Sequence, residues 1–247
     1  MGNSISVTTV SEGVARIRWS GEPVLDELRR EIAAALVEHT RVEALIDPDD
    51  REGQRLATWS GLLKEGTSRG VTLDGTAADR VVYARVRGDA PLDAPEGFRA
   101  LLNSFLPRKR AIAQMLVRDG EERVLLCQLT YKRDWDLPGG VVEVGESPML
   151  AVGREVEEEL GLVITPGALL LTDWLPPWGG WDDALCLVFD GGTQDTSVLK
   201  RVVMQPREIR DVRFCTLEEV DELAADFTAR RIRAAVAGAQ PYTESGR

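Results

Sequence analysis

The chain has 247 residues, 43% apolar and 29% charged, which is the make-up of a folded globular protein and excludes the collagenous, low-complexity and disordered classes. At about 150 residues per domain, this length allows one large domain or two small ones. Its 41 acidic and 30 basic side chains leave a net charge of -11, so neither duplex nucleic acid nor an anionic membrane is an expected partner. No apolar run approaches the roughly 20 residues that cross a bilayer. The opening MGNSISVTTV lacks the basic-then-apolar order of a secretory signal, and a cytoplasmic address is expected. Cys127, Cys186 and Cys215 are far apart, each flanked by apolar residues, and read as reduced core thiols. With His39 the single histidine, catalysis has to run mainly on carboxylates.

In chain order, residues 5 to 10 read as the start of a strand, and Val14 to Trp19 alternates like another. From Pro23, Val24, Leu28, Ile32 and Leu36 recur at helical spacing. Val42 to Ile46 is a strand ended by the turn Asp47-Pro48-Asp49-Asp50. A helix follows from Arg51 to about Leu63, then a strand from Val81 to Arg87. Prolines and glycines from about residue 88 mark a linker that ends near Pro107.

The stretch ALIDPDDREGQRLATWSGLLKEGTSRG with DRVVYARV resembles the C-terminal half of a GNAT-type acetyltransferase, over about residues 14 to 87. Such enzymes hold the acetyl-CoA pyrophosphate on a glycine-rich turn at a helix N-terminus. The corresponding turn here, Trp19 to Val24, has one glycine, an acid, and a proline without an N–H. Residues 1–107 are therefore expected to be a degenerate GNAT-like α/β domain without its cofactor site, used for packing, for dimerisation or to shape the neighbouring site.

Beyond Pro107, Ala111 to Val117 and Arg123 to Leu129 read as strands joined through Asp119-Gly120. Then comes DLPGGVVEVGESPMLAVGREVEEELGLVIT, a glycine loop, a short strand and a helix. Ser147 suits the helix N-cap, Pro148 its first position and Gly161 its end. Glu155, Glu158 and Glu159 at i, i+3 and i+4 share one helix face, with Leu150, Val156 and Leu160 free to point into the core. Carboxylates that close repel one another unless a cation sits among them, and hard divalent cations take oxygen ligands. An ordinary solvated acidic face is the other reading of the same three residues. Arg154, one turn from Glu158, can hold carboxylates by charge-assisted pairs.

Gly140, five residues, Glu146, seven residues, Arg154-Glu155-Val156, one residue, Glu158-Glu159, one residue, Gly161-Leu162 matches every defined position of the Nudix hydrolase signature. By these residues the segment 108–236 is identified as a member of that family. The resemblance implies an α/β (α+β) fold, an αβα sandwich with a mixed sheet, that binds Mg2+ or Mn2+ and hydrolyses a nucleoside diphosphate linked to another group. It also implies that Glu155, Glu158 and Glu159 are the metal ligands together with the Gly139 carbonyl, that Arg154 orients them, and that Glu146, Gly140 and Gly161 are structural. Glu208, in the loop before the last strand, resembles a later-loop general base, and a solvated loop charge explains it equally.

After the motif, the strand Ala168 to Thr172 runs into DWLPPWGGWDD and then the strand Ala184 to Phe189. Trp174, Trp178 and Trp181 on that loop either stack on a base or sugar of the substrate or cover an interface. Thr216 and Glu219 form a capping box for a final helix, on which Arg230, Arg231 and Arg233 read as a solvated face, and 237–247 as a flexible tail. The expected partner is a small nucleotide, and a homodimer is compatible with the chain. A nucleoside triphosphate, oxidised forms included, or a nucleotide sugar leads as substrate. ADP-ribose and a non-catalytic nucleotide sensor are the alternatives, and an acetyltransferase stands behind them.

Overall fold

The computed structural model describes residues 4–21 and 25–247 and divides into two compact units, Met1–Pro107 and Arg108–Arg247. In the first unit, five strands, β1 (Ser4–Ser11), β2 (Val14–Ser20), β3 (Arg41–Ile46), β4 (Leu63–Leu73) and β5 (Thr76–Val86), stand in the order β1-β2-β3-β5-β4. Helix α1 (Leu25–Glu38) links the parallel pair β2 and β3, and the other neighbours are antiparallel. Ala15, Ile17, Val42, Ala44, Ile46, Val81 and Tyr83 alternate along three strands and form one core with Leu28 and Ile32 of α1 and Ala57 of α2 (Arg51–Trp59). The Asp50 carboxylate caps α2, accepting the Gly53 N–H at 2.8 Å. His39 is held by Thr9 and by the Ala35 carbonyl.

Two elements here escaped the pattern. The edge strand β4 is mostly exposed and bulged twice, so backbone pairing with β5 makes it without any apolar alternation. The stretch expected as linker carries helix α3 (Pro95–Phe105). Proline at its first position is a helix start rather than a break, and Phe98, Leu101, Leu102 and Phe105 have helical spacing. Of the turn Trp19 to Val24, residues 22–24 lie outside the described residues.

The second unit is a mixed sheet. β6 (Arg110–Arg118) and β7 (Val124–Leu129) meet only at Arg118 and Val124, beside the turn that the Asp119 carboxylate organises through the N–H groups of Glu121 and Arg123. They then splay, and the gap takes β8 (Trp135–Asp136) on β7 and β9 (Gly139–Val141) on β6. The full order is β12-β7-β6-β11-β10-β13, with β10 (Leu169–Leu175), β11 (Ala184–Thr193), β12 (Ile209–Cys215) and β13 (Tyr242–Glu244). Alternate residues of β6 and β7 feed two cores. Met115, Leu125 and Cys127 pack with helix α4 (Pro148–Leu160), whereas Leu116, Val124 and Leu126 pack with α5 (Leu217–Leu223) and α6 (Asp226–Ala237). Covered on both faces, β6 and β7 read as continuous apolar runs. All three cysteines are buried free thiols.

Three expectations are corrected in this unit. Leu150 points outward, and Ala151 and Val152 fill the core beside Val156 and Leu160. The C-terminal segment is pinned rather than frayed, because β13 pairs in parallel with β10 and buries Thr243. Arg231 lies in the protein interior at 2% exposure, held by Asp173, while Arg230 bonds the Ser245 carbonyl and Arg233 pairs with Asp221.

Candidate active site

The splayed β6–β7 pair positions the glycine loop. Gly139 has φ +136°, and a Cβ there would stand 2.2 Å from the Ala113 carbonyl oxygen, so only glycine lets β9 lie against β6. At Gly140 a Cβ would fall 2.5 Å from the Glu155 carboxyl carbon. The loop and helix α4 thus meet through the carboxylates themselves. Ser147 caps α4 by accepting the Leu150 N–H at 3.3 Å, Pro148 opens it, and Gly161 closes it in the left-handed conformation.

Arg154 is the hub of the acidic cluster. Its Nε and Nη2 donate to Glu146 at 3.0 and 3.1 Å, and its Nη1 lies 3.0 Å from Glu155 and 2.9 Å from Glu158. The hydrogen bonds from Arg154 hold the Glu146 carboxyl below its usual range, and the same bonds, accepted by Glu146, are the first cause of the raised guanidinium pKa. Glu146 also accepts the Glu143 N–H at 3.3 Å, which ties the turn to the helix.

Glu159 is buried at the end of α4 and accepts the Gly139 N–H at 2.9 Å. Burial pushes its pKa up to about 8 against that hydrogen bond, and the charges of Glu155, Glu208 and Asp136 add to the rise. Glu155 is raised for the same reasons, burial first, with Glu158 and Glu208 contributing repulsion against the pull of Arg154. Glu208 sits in the loop before β12, its backbone carbonyl accepting the Thr130 N–H, with its carboxylate near enough to act on both motif acids. Glu158 is more than half exposed and pairs with Arg154. Among the described residues no three acidic, imidazole or thiol side chains converge into a ready-made cage. The donor chemistry is nonetheless that of a hard-cation site, since crowded carboxylates with raised pKa values gain most from a divalent ion.

Next to Gly139 and Gly140 opens a cavity of about 390 Å³. Trp178 and Trp181 line it, and Trp174 does not. Trp174 lies within β10, opposite Leu185. Trp178 and Trp181 exchange two backbone hydrogen bonds across Gly179 (φ +57°) and Gly180 (φ +87°), the geometry of a type I′ turn. Both rings therefore flank a tight turn. Trp178 meets Phe227 edge-on at 5.2 Å, and the Arg110 guanidinium lies 4.7 Å over the Trp181 ring.

A NUDIX domain model matches residues 107–236, just over half of the chain. The chain belongs to the Nudix family. A MutT-like protein of Streptomyces ambofaciens is 32% identical over 139 residues, 55% of this chain and 81% of that protein. The NAD-capped RNA hydrolase NudC of Mycobacterium tuberculosis (strain ATCC 25618 / H37Rv) is 33% identical over 121 residues, 47% of this chain but only 35% of that protein. Among solved structures, the MutT protein of Methanosarcina mazei Go1 aligns at 23% identity and a TM-score of 0.47, covering 56% of this chain and 100% of that one. The protein is a Nudix pyrophosphohydrolase, of a family that acts on small nucleotides and generally uses divalent metals such as Mg2+ or Mn2+.

The candidate site holds more than the motif. Gln114, Lys132, Asp136 and Arg231 also line the cavity. Asp136 accepts Gln114 Nε2 at 2.8 Å and Lys132 Nζ at 2.7 Å. Burial raises its pKa, but the Lys132 and Arg231 charges outweigh that and leave it lowered. Arg231 donates to Asp173 and Gln114, each at 2.9 Å. One signal was available for Gln114, a lone amide inside the apolar run AIAQMLV. Arg231 gave none, because its spacing on α6 is that of any surface arginine.

Proposed function

We propose that the protein hydrolyses a phosphoanhydride of a nucleoside diphosphate linked to another moiety, with a nucleoside triphosphate, oxidised or not, or a nucleotide sugar as the leading substrate. The observation that carries this reading is the seating of the glycine loop on α4, where Glu155 stands against Gly140 and Glu159 accepts the Gly139 N–H at 2.9 Å, and where both carboxyl pKa values are raised, by burial first. Glu155, Glu158 and Glu159, with the Gly139 carbonyl, are the groups that would hold Mg2+ or Mn2+. A bound divalent ion supplies neutralisation of phosphate charge and a lowered pKa for water. Arg154 sets the directions of Glu155 and Glu158 through its ion pairs. Glu208, exposed and acidic, is the group assigned to take the proton from the attacking water, and Trp178 and Trp181 hold the base or sugar.

We further read residues 14–87 as a degenerate GNAT-like domain whose role is packing or homodimerisation. The aspartate-proline turn before α2 and the strand-helix order around it support that reading. The buried free thiols suit a cytoplasmic address. The test is a panel of nucleoside triphosphates, dinucleoside polyphosphates, nucleotide sugars and ADP-ribose with Mg2+ or Mn2+, with products resolved by anion exchange. Cleavage at a phosphoanhydride, lost in folded Glu158→Gln and Glu159→Gln, is expected. Tight binding of a compound with no product in either metal would replace the hydrolase by a nucleotide sensor.

A further inference from the structure

Among the described residues three buried side-chain nitrogens have no hydrogen-bond partner, and two of them, Arg110 Nε and Arg231 Nη2, belong to residues lining the cavity beside the glycine loop. A buried donor without an acceptor is costly. The side-chain acceptors around Arg231 are already engaged. Asp136 receives Gln114, Lys132 and the Leu137 N–H. Gln114 Oε1 receives Arg231 Nη1 and the Cys186 thiol at 3.1 Å. Asp173 receives Arg231 Nε, the Thr243 hydroxyl and the Gly246 N–H. The Arg110 Nε and Arg231 Nη2 donors are therefore left over from the hydrogen bonding among these side chains. Around them stand the planar faces of Trp178, Trp181 and Phe227, which suit a flat heteroaromatic ring.

We propose that this cavity takes the nucleobase of the substrate and selects a base with an oxo acceptor, such as a 6-oxopurine, over adenine, with Arg231 and Arg110 as the donors. The proposal rests on the nucleotide-hydrolase reading above and adds the class of base. An oxo group accepts from the spare guanidinium N–H in a charge-assisted bond. The 6-amino group of adenine would meet it donor to donor and leave both unpaired. Phe227, whose ring centroid is 5.7 Å from Arg231 Cζ, covers the guanidinium. That ring must turn to admit the base, and it is itself only half-buried and leans on exposed Trp178.

On the purine edge IMP and AMP differ at the 6-substituent, oxo against amino, and at the adjoining N1, a donor in IMP and an acceptor in AMP. Their binding to the full chain is measured in EDTA by quenching of tryptophan fluorescence, which separates base recognition from metal and turnover. The expected result is IMP binding tighter than AMP by about tenfold or more. In Arg231→Lys, which keeps a cation beside Asp173 but lacks the planar guanidinium fork that places Nη2, the ratio should fall to within about threefold. Equal binding, or AMP the tighter ligand, in the wild type overturns the proposal. So does an unchanged ratio in a folded Arg231→Lys. Should that variant not fold, Arg110→Lys on the cavity wall serves instead, with the same expected compression of the ratio. Hydrolysis of nucleotides with IMP and AMP bound alike removes the base assignment alone. Preference for IMP with no phosphoanhydride cleaved removes the hydrolase reading and leaves the base site standing.

Discussion

At Glu159 folding and chemistry are in conflict. The chain buries this carboxyl and repels its charge with Glu155 and Glu208, so without metal it keeps its proton up to about pH 8. Because the folded pKa lies above the ordinary 4.5, the folded state binds the proton more tightly than the unfolded chain. The associated stability is complete below about pH 4.5 and is lost as pH rises through about 8. The metal-free protein should therefore melt lower at pH 8 than at pH 5.5, and Glu159→Gln should remove part of that slope. Parallel melting curves of the two proteins in EDTA would sink the argument. The same substitution deletes a negative charge where the cation is proposed to bind, and a loss of about a thousandfold in kcat/KM is expected. Mg2+ added to the wild type at pH 7 should release protons, measurable by calorimetry in buffers of different ionisation enthalpy.

At the scale of elements, the decisive feature is the insertion of β8 and β9 into the splayed β6–β7 hairpin, which sets the glycine loop over the end of α4. Gly139→Ala would place a methyl on the Ala113 carbonyl at a backbone angle that favours glycine, and urea unfolding should show a loss upwards of about 2 kcal/mol. Ser147→Ala removes one cap bond and should cost about 1 kcal/mol by the same measurement. Equal losses in the two variants would mean that the loop is not constrained as described. The signals that were legible here are local ones: the Ser147 cap, the Pro148 start, the Gly161 stop and the capping box at Thr216 all depend on a few adjacent residues. What was not legible depends on distant partners. Strand β4 exists because β5 offers it hydrogen bonds, and β13 because β10 does. Arg231 is interior because Asp173, 58 residues away, neutralises it. Removing residues 241–247 should expose that dependence, since it strips Asp173 of Thr243 and Gly246. A drop in melting temperature of at least about 5 °C is expected.

On the scale of the whole molecule, the net charge of -11 and the polyanionic substrate are reconciled by where the acids sit. Part of the excess is Glu155, Glu158, Glu159 and Glu208, whose sign a divalent ion would reverse locally. The motif, the cavity and the buried Arg231 network all come from residues 108–247. The residues that line the cavity at the glycine loop belong to the second unit. The two cores of the second unit are built wholly from its own strands and helices, and at 140 residues it is long enough to bury them without help. Expressed alone, residues 108–247 should therefore fold cooperatively. They should hydrolyse whichever compound the panel identifies with kcat/KM within about fivefold of the full chain, which is about 1 kcal/mol in barrier. Steady-state kinetics on the fragment, with a melting curve to show that it is folded, makes the comparison. A folded fragment with activity lowered a hundredfold or more would mean that residues 1–107 contribute to the site, and the packing role given to them would have to be abandoned.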